Sequence, residues 1–150
     1  MLGKWIEGDG PGTPLYHAVT GAEIFTATSK GLDFNAALEY ARMVGGPQLR
    51  KMTFHERARK LKALALYLGE KKKGFYALSA ATGATKADSW IDIDGGIGNL
   101  FVYASKGRRE LPDETFYVDG NPEMISKGGT FIGHHICVPM EGVAVHINAF

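Results

Sequence analysis

A long block of helical periodicity, residues 33–106, stands between two blocks of strand character, and this order limits the folds open to the chain. Strands, then helices, then strands suggests an α+β arrangement on pattern alone. Asp33 is placed to cap a first helix in which Phe34, Ala37, Leu38 and Ala41 recur at helical spacing, with Gly45-Gly46-Pro47 expected to stop it. Thr53-Phe54-His55-Glu56 has the form of a capping box. It opens a helix with Ala58, Leu61, Ala65 and Leu68 on one face and Arg57, Arg59, Lys60 and Lys62 turned outward. Two further helices are expected over about 71–81, ending at Gly83, and about 87–106, where Trp90, Ile91, Leu100, Phe101 and Tyr103 are apolar.

The flanking blocks carry strand signals. Lys4–Glu7 and Glu23–Thr28 surround a loop rich in glycine and proline, Gly8 to Pro14. On the other side Thr115–Val118, Met124–Ser126, Thr130–Val138 and Gly142–Ile147 read as strands. The last stretch, Gly142 to Phe150, is apolar and β-branched like a buried strand and ends without turn, cap or polar tail. Chain ends are normally placed at the surface. This pattern is therefore expected of a piece of a longer protein, with its chemistry beyond Phe150.

Length allows one domain with a real core. A formal charge of +1 provides no electrostatic case for nucleic acid or an anionic membrane. Neither a secretory signal nor a run of the roughly 18–20 apolar residues needed for a membrane span is present. The one cysteine, Cys137, excludes an internal disulfide and fits a reducing, cytoplasmic location.

Chemistry-bearing motifs are sparse. The early glycine loop lacks Gly-Lys-Ser/Thr and no helix follows it at once, so it reads as a surface loop. Gly95-Gly96-Ile97-Gly98 sits in a helical pattern rather than after a strand, which excludes the dinucleotide fingerprint. Asp88, Asp92 and Asp94 read as a solvated or locally paired acidic face, and Lys71-Lys72-Lys73 as a solvated helix start. His134 and His135 alternate across a strand and point to opposite faces, so they do not chelate one metal together. Cys137 reads as a buried strand cysteine without a neighbouring base. No catalytic residue and no metal site is assigned.

Several of these segments carry a resemblance. The run from Leu78 through Thr82-Gly83-Ala84-Thr85-Lys86-Ala87-Asp88-Ser89-Trp90 to Gly98 resembles the N-terminal helical region of aldehyde dehydrogenases. It is similar in particular to the subgroup in which a semialdehyde dehydrogenase of phenylacetate degradation is fused to an enoyl-CoA hydratase-like domain. Met52 to Ala58, Gly107-Arg108-Arg109-Glu110-Leu111-Pro112 and Gly142 to Phe150 resemble the same subgroup, and the likeness runs from Trp5 to Phe150. A ring-cleavage semialdehyde dehydrogenase of aerobic benzoyl-CoA breakdown is a weaker match.

The resemblance implies the N-terminal portion of an α/β aldehyde dehydrogenase fold, with the central parallel sheet largely missing. Residues 1–114 would supply strands and helices of the cofactor-domain side. Residues 115–150 would supply oligomerisation-sheet strands leading into the cofactor-binding domain, and residues 115–147 would pair with a second copy. In the family a cysteine attacks the aldehyde, hydride passes to NAD or NADP, and an asparagine with a backbone N–H holds the oxyanion. That asparagine follows the aromatic residue matching Phe150, so Asn148 does not take its place, nor Cys137 that of the nucleophile. Ile147, Asn148, Ala149 and Phe150 match the segment beside the cofactor's nicotinamide ribose. Gly95 and Gly96 match a helix face lining the substrate tunnel. Helix glycine costs about 1 kcal/mol against alanine, so these glycines have a reason: a tunnel widened for a CoA-thioester semialdehyde, or close helix packing.

Two function classes stand open. One is a fragment of an NAD(P)-dependent dehydrogenase for a CoA-linked semialdehyde of aromatic catabolism, inactive alone, from the phenylacetate or the benzoyl-CoA branch. The other is a non-catalytic assembly or binding module.

Overall fold

The computed structural model describes residues 1–147. Asn148, Ala149 and Phe150 lie outside the described residues. The chain opens with an antiparallel hairpin, β1 (Thr13–Tyr16) on β2 (Glu23–Ala27). Lys4–Glu7 forms no strand; the partner of Glu23–Ala27 is instead Thr13–Tyr16, at the end of the glycine- and proline-rich loop. A strand is defined by a partner in register, and β2 is paired along its length by Thr13–Tyr16. The N-terminal segment reaches the chain just beyond β2 through the Asp9 N–H on the Lys30 carbonyl, at 2.9 Å.

Helix α1 (Phe34–Tyr40) starts where Asp33 accepts the Ala36 N–H at 2.9 Å. Proline was expected to end it, yet the helix runs on through a π turn, Ala41–Gly45, into α2 (Gly46–Arg50). The Gly46 N–H reaches back five residues to the Ala41 carbonyl. That wider turn places Pro47 at the start of a new helical segment, where its missing N–H breaks no bond. Helix α3 (Phe54–Glu70) begins at the capping box: Glu56 N–H donates to Thr53 Oγ1 at 3.1 Å, and Thr53 N–H to Glu56 Oε2 at 2.9 Å. Next come α4 (Lys72–Ala81) and α5 (Lys86–Trp90), then a second π turn (Ile91–Gly95) and α6 (Gly96–Glu110). Gly83, with φ +87°, makes the left-handed exit from α4.

The second hairpin pairs β3 (Tyr117–Met124) with β4 (Ile132–Cys137). The two short strands expected at 115–118 and 124–126 are one strand interrupted by a bulge between Asp119 and Glu123. Gly120, at φ +69°, and Pro122 sit in that bulge, where neither has to complete the ladder. Gly142–Ile147 is not a strand, because no neighbouring strand among the described residues supplies its hydrogen bonds. Helices with two small antiparallel sheets, and no parallel pair among the described residues, make a mixed α/β fragment. No helix of the described residues is long and apolar enough to cross a membrane.

The core is far smaller than the length allows. Among the described residues the buried apolar ones are Ala58, Ala65, Ala81 and Ala104, three of them in the seam where α3 packs on α6. Small side chains let two helices approach closely but bury little apolar area. Leu64, Leu66, Trp90, Phe101, Tyr103, Ile132 and Ile136 are all exposed. The accessible surface is 11918 Å², against about 7,500 Å² for a compact monomer of this mass. The exposed apolar side chains contribute to that surplus.

Candidate functional site

The most structured polar site lies where α4 meets the second π turn. Thr85 starts α5 with another capping box, donating Oγ1–H to Asp88 at 2.6 Å and accepting the Asp88 N–H at 3.2 Å. Asp88 is thus spent on the cap. Ser89, 2% exposed, donates to the Thr85 carbonyl at 2.9 Å and meets Ser79 Oγ at 2.8 Å, stapling α5 to α4. With α5 fixed, the extra residue in the π turn rotates the chain beyond it. Asp94 is thereby brought onto α4.

There it is held by two side chains one turn apart. Lys72 forms an ion pair with Asp94 Oδ1, and Tyr76 donates to Oδ2 at 2.6 Å. Hydrogen bonds from Lys72 and then Tyr76 hold the Asp94 carboxyl below its ordinary value. The same bond pushes the Tyr76 phenol up, since ionisation would set a phenolate against a carboxylate. Lys72 is therefore not a purely solvated helix residue. Residue spacing foreshadows only half of this clamp: Lys72 and Tyr76 share a helix face, but Asp94 lies 22 and 18 residues away.

Gly95 and Gly96 follow on the outer side, both exposed. A Cβ built on either meets nothing within 4 Å, and the same holds at Gly98. Close helix packing therefore does not account for these glycines among the described residues. They form a stretch without side chains beside the paired Asp94 carboxylate. The other expected contact residues are not gathered here. Ile147 is 92% exposed and in no strand, while Asn148, Ala149 and Phe150 lie outside the described residues.

The remaining candidates are structural. His134 Nε2 lies 3.1 Å from the Gly120 carbonyl, bracing the bulge. Cys137 is half-buried rather than buried, and its thiol beside Tyr117 pushes that phenol up. Arg57 does not turn outward. It lies over the Phe54 ring, 4.8 Å from the centroid, with Nε and Nη2 buried and without hydrogen-bond partners. No group of three or more metal-ligating side chains occurs among the described residues.

Comparison with known proteins adds what the geometry leaves open. The sequence model described as "Aldehyde dehydrogenase family" matches residues 5–150. The chain is also similar to a 3,4-dehydroadipyl-CoA semialdehyde dehydrogenase from Aromatoleum evansii. The two are 40% identical over 151 aligned residues, which cover 100% of this chain and 29% of that relative.

Proposed function

The chain belongs to the aldehyde dehydrogenase family, and from that premise we propose that it is part of a dehydrogenase oxidising a CoA-thioester semialdehyde of aromatic catabolism. The observation that carries this reading is the 40% identity, sustained over all of the chain, to an enzyme named for a CoA-linked semialdehyde. The phenylacetate and benzoyl-CoA branches share this substrate chemistry, and turnover of one thioester over the other assigns the branch.

The roles of this chain's residues follow from its place in such an enzyme. The Lys72–Asp94–Tyr76 clamp fixes the π turn so that Gly95 and Gly96 present a wall without side chains to the substrate path. The ribose-side contact with the nicotinamide cofactor falls to Ile147, Asn148, Ala149 and Phe150. When bound, NAD or NADP accepts the hydride, and the residues that attack and hydrate the aldehyde come from outside this chain. Cys137, paired into β4 beside Tyr117, is not the nucleophile. The exposed β3–β4 hairpin supports homo-oligomerisation through residues 115–147, and the single free cysteine supports a cytoplasmic location.

Replacing the matched segment of the Aromatoleum evansii enzyme with this chain tests the reading. A soluble chimera that reduces NAD or NADP with a CoA-linked semialdehyde is the expected result. A soluble, assembled chimera without turnover overturns it and favours a non-catalytic assembly module. The chain alone, mixed with cofactor and aldehyde, should give no turnover.

A further inference from the structure

Two hollows, of about 500 and 480 Å³, lie along the seam of α3 and α6 and share Phe101 as a lining residue. Their residues form one stripe on each helix. On α3 these are Ala58, Lys62, Ala65, Leu66 and Gly69; on α6 they run from Ile97 and Gly98 through Phe101 to Ser105 and Arg108. Such i, i+4, i+7, i+8 spacing keeps a face on one side of a helix, so the hollows are successive parts of one groove. From Gly98 to Arg109 it extends about 16 Å at the helical rise.

The two ends differ in chemistry. Near the glycine turn the floor is mostly apolar, formed by Leu66, Ile97 and Phe101; Asp94 there is already paired to Lys72, and Glu70 stands at the rim, at the end away from the cations. At the far end Lys62, Arg108 and Arg109 converge with Ser105, and no carboxylate lines that hollow. None of these three cations takes part in an ion pair among the described residues. Arg108 and Arg109 also stand in the last turn of α6, where the helix dipole favours cations. That accounts for their place on α6 but not for Lys62 arriving from α3 at the same hollow.

We propose that this groove binds the coenzyme A portion of the thioester substrate. The long, uncharged pantetheine arm lies along the apolar floor, and its diphosphate and ribose phosphate meet Lys62, Arg108 and Arg109. The thioester end then points toward Gly95 and Gly96. Charge complementarity selects this occupant: an unpaired cationic cluster closing an apolar channel matches a ligand with phosphates at one end only. The assignment rests on the reading of the chain as part of a CoA-linked dehydrogenase.

Calorimetric titration of the chain with free coenzyme A and with inorganic pyrophosphate tests it. Coenzyme A is expected to bind, and Arg108→Gln with Arg109→Gln to weaken it by about tenfold or more. Leu66→Glu should weaken coenzyme A while leaving pyrophosphate unchanged, and Arg59→Gln, outside the groove, should change neither. Unchanged helical circular dichroism confirms that each variant is folded. Absence of coenzyme A binding, or equal affinity in the double-arginine variant, overturns the proposal. In the active chimera the same arginine changes should raise KM for the CoA-linked semialdehyde. An unchanged KM removes the groove but keeps the dehydrogenase. Coenzyme A binding by the chain with no dehydrogenase activity in the assembled chimera removes the dehydrogenase but keeps the groove.

Discussion

Thr53 joins two parts of the chain through a single hydroxyl, so its removal provides a sharp test of how the helical layer is held. Its Oγ1 accepts the Glu56 N–H at 3.1 Å and donates its own proton to Asp113, sixty residues away. The same junction is closed by the Phe54 N–H on the Glu114 carbonyl at 2.9 Å and by His55 Nε2, 2.8 Å from the Leu111 carbonyl. Thr53→Ala loses the cap, about 1 kcal/mol. It also loses a hydrogen bond to a carboxylate that is 54% exposed, which solvent reduces to about 1 kcal/mol. The sum, about 2 kcal/mol, is a large fraction of the stability of a chain with four buried alanines as its apolar core. With an m-value near 2 kcal/mol/M, the urea midpoint read by circular dichroism should fall by about 1 M. Thr53→Ser keeps both bonds and should stay within about 0.5 kcal/mol of the parent. A cycle with Asp113→Ala should show coupling of about 1 kcal/mol. If serine proves as damaging as alanine, or the cycle shows no coupling, the hydroxyl is not the link and the reasoning fails.

The Asp94 clamp sets two pH limbs. Asp94 has its folded value lowered, so it stabilises the chain above the ordinary carboxylate range, and the effect is lost as pH falls through the folded value. Asp94→Asn should flatten the acid limb of a stability–pH curve; an unaltered limb rejects the clamp. Tyr76 has its value raised, so its contribution holds below the ordinary phenol value and is lost as pH rises through the folded one. Tyr76→Phe should remove a late-ionising component from the ultraviolet titration of the six tyrosines. A Cβ at Gly95 meets no atom within 4 Å, so in the chain Gly95→Ala should be neutral or stabilise by up to about 1 kcal/mol, and Gly95→Leu should leave the chain folded. In the active chimera it should raise KM for the CoA-linked aldehyde, and unchanged kinetics would remove Gly95 from the substrate path. The exposed edges and apolar residues of β3 and β4 should drive concentration-dependent self-association in light scattering, and a clean monomer at high concentration would count against an oligomerisation role.

Local chemistry was legible along the chain, and long-range chemistry was not. The caps at Asp33 and Thr53 and the inward face of Ala58, Leu61, Ala65 and Leu68 follow from neighbours three to eight residues apart, and the structure keeps them. Pro47 misled because a helix stop was expected where a π turn carries the helix on, and the second π turn, Ile91–Gly95, gave no local signal. One extra residue per turn moves every later side chain to a new face. Lys4–Glu7 and Gly142–Ile147 have strand composition but no strand, since composition does not supply a partner.

By itself, the sequence determined the family, the helical layer and the caps at Asp33 and Thr53. Each depends on residue identity at short range or on likeness along the whole chain. Only the tertiary structure decided that Asp94 is clamped by Lys72 and Tyr76, that the glycine face is open, and that Lys62, Arg108 and Arg109 converge at the end of an apolar groove. Those relations join different helices, and their geometry is set by how closely Ala58, Ala65 and Ala104 let α3 and α6 approach and by a π turn that redirects the chain between them.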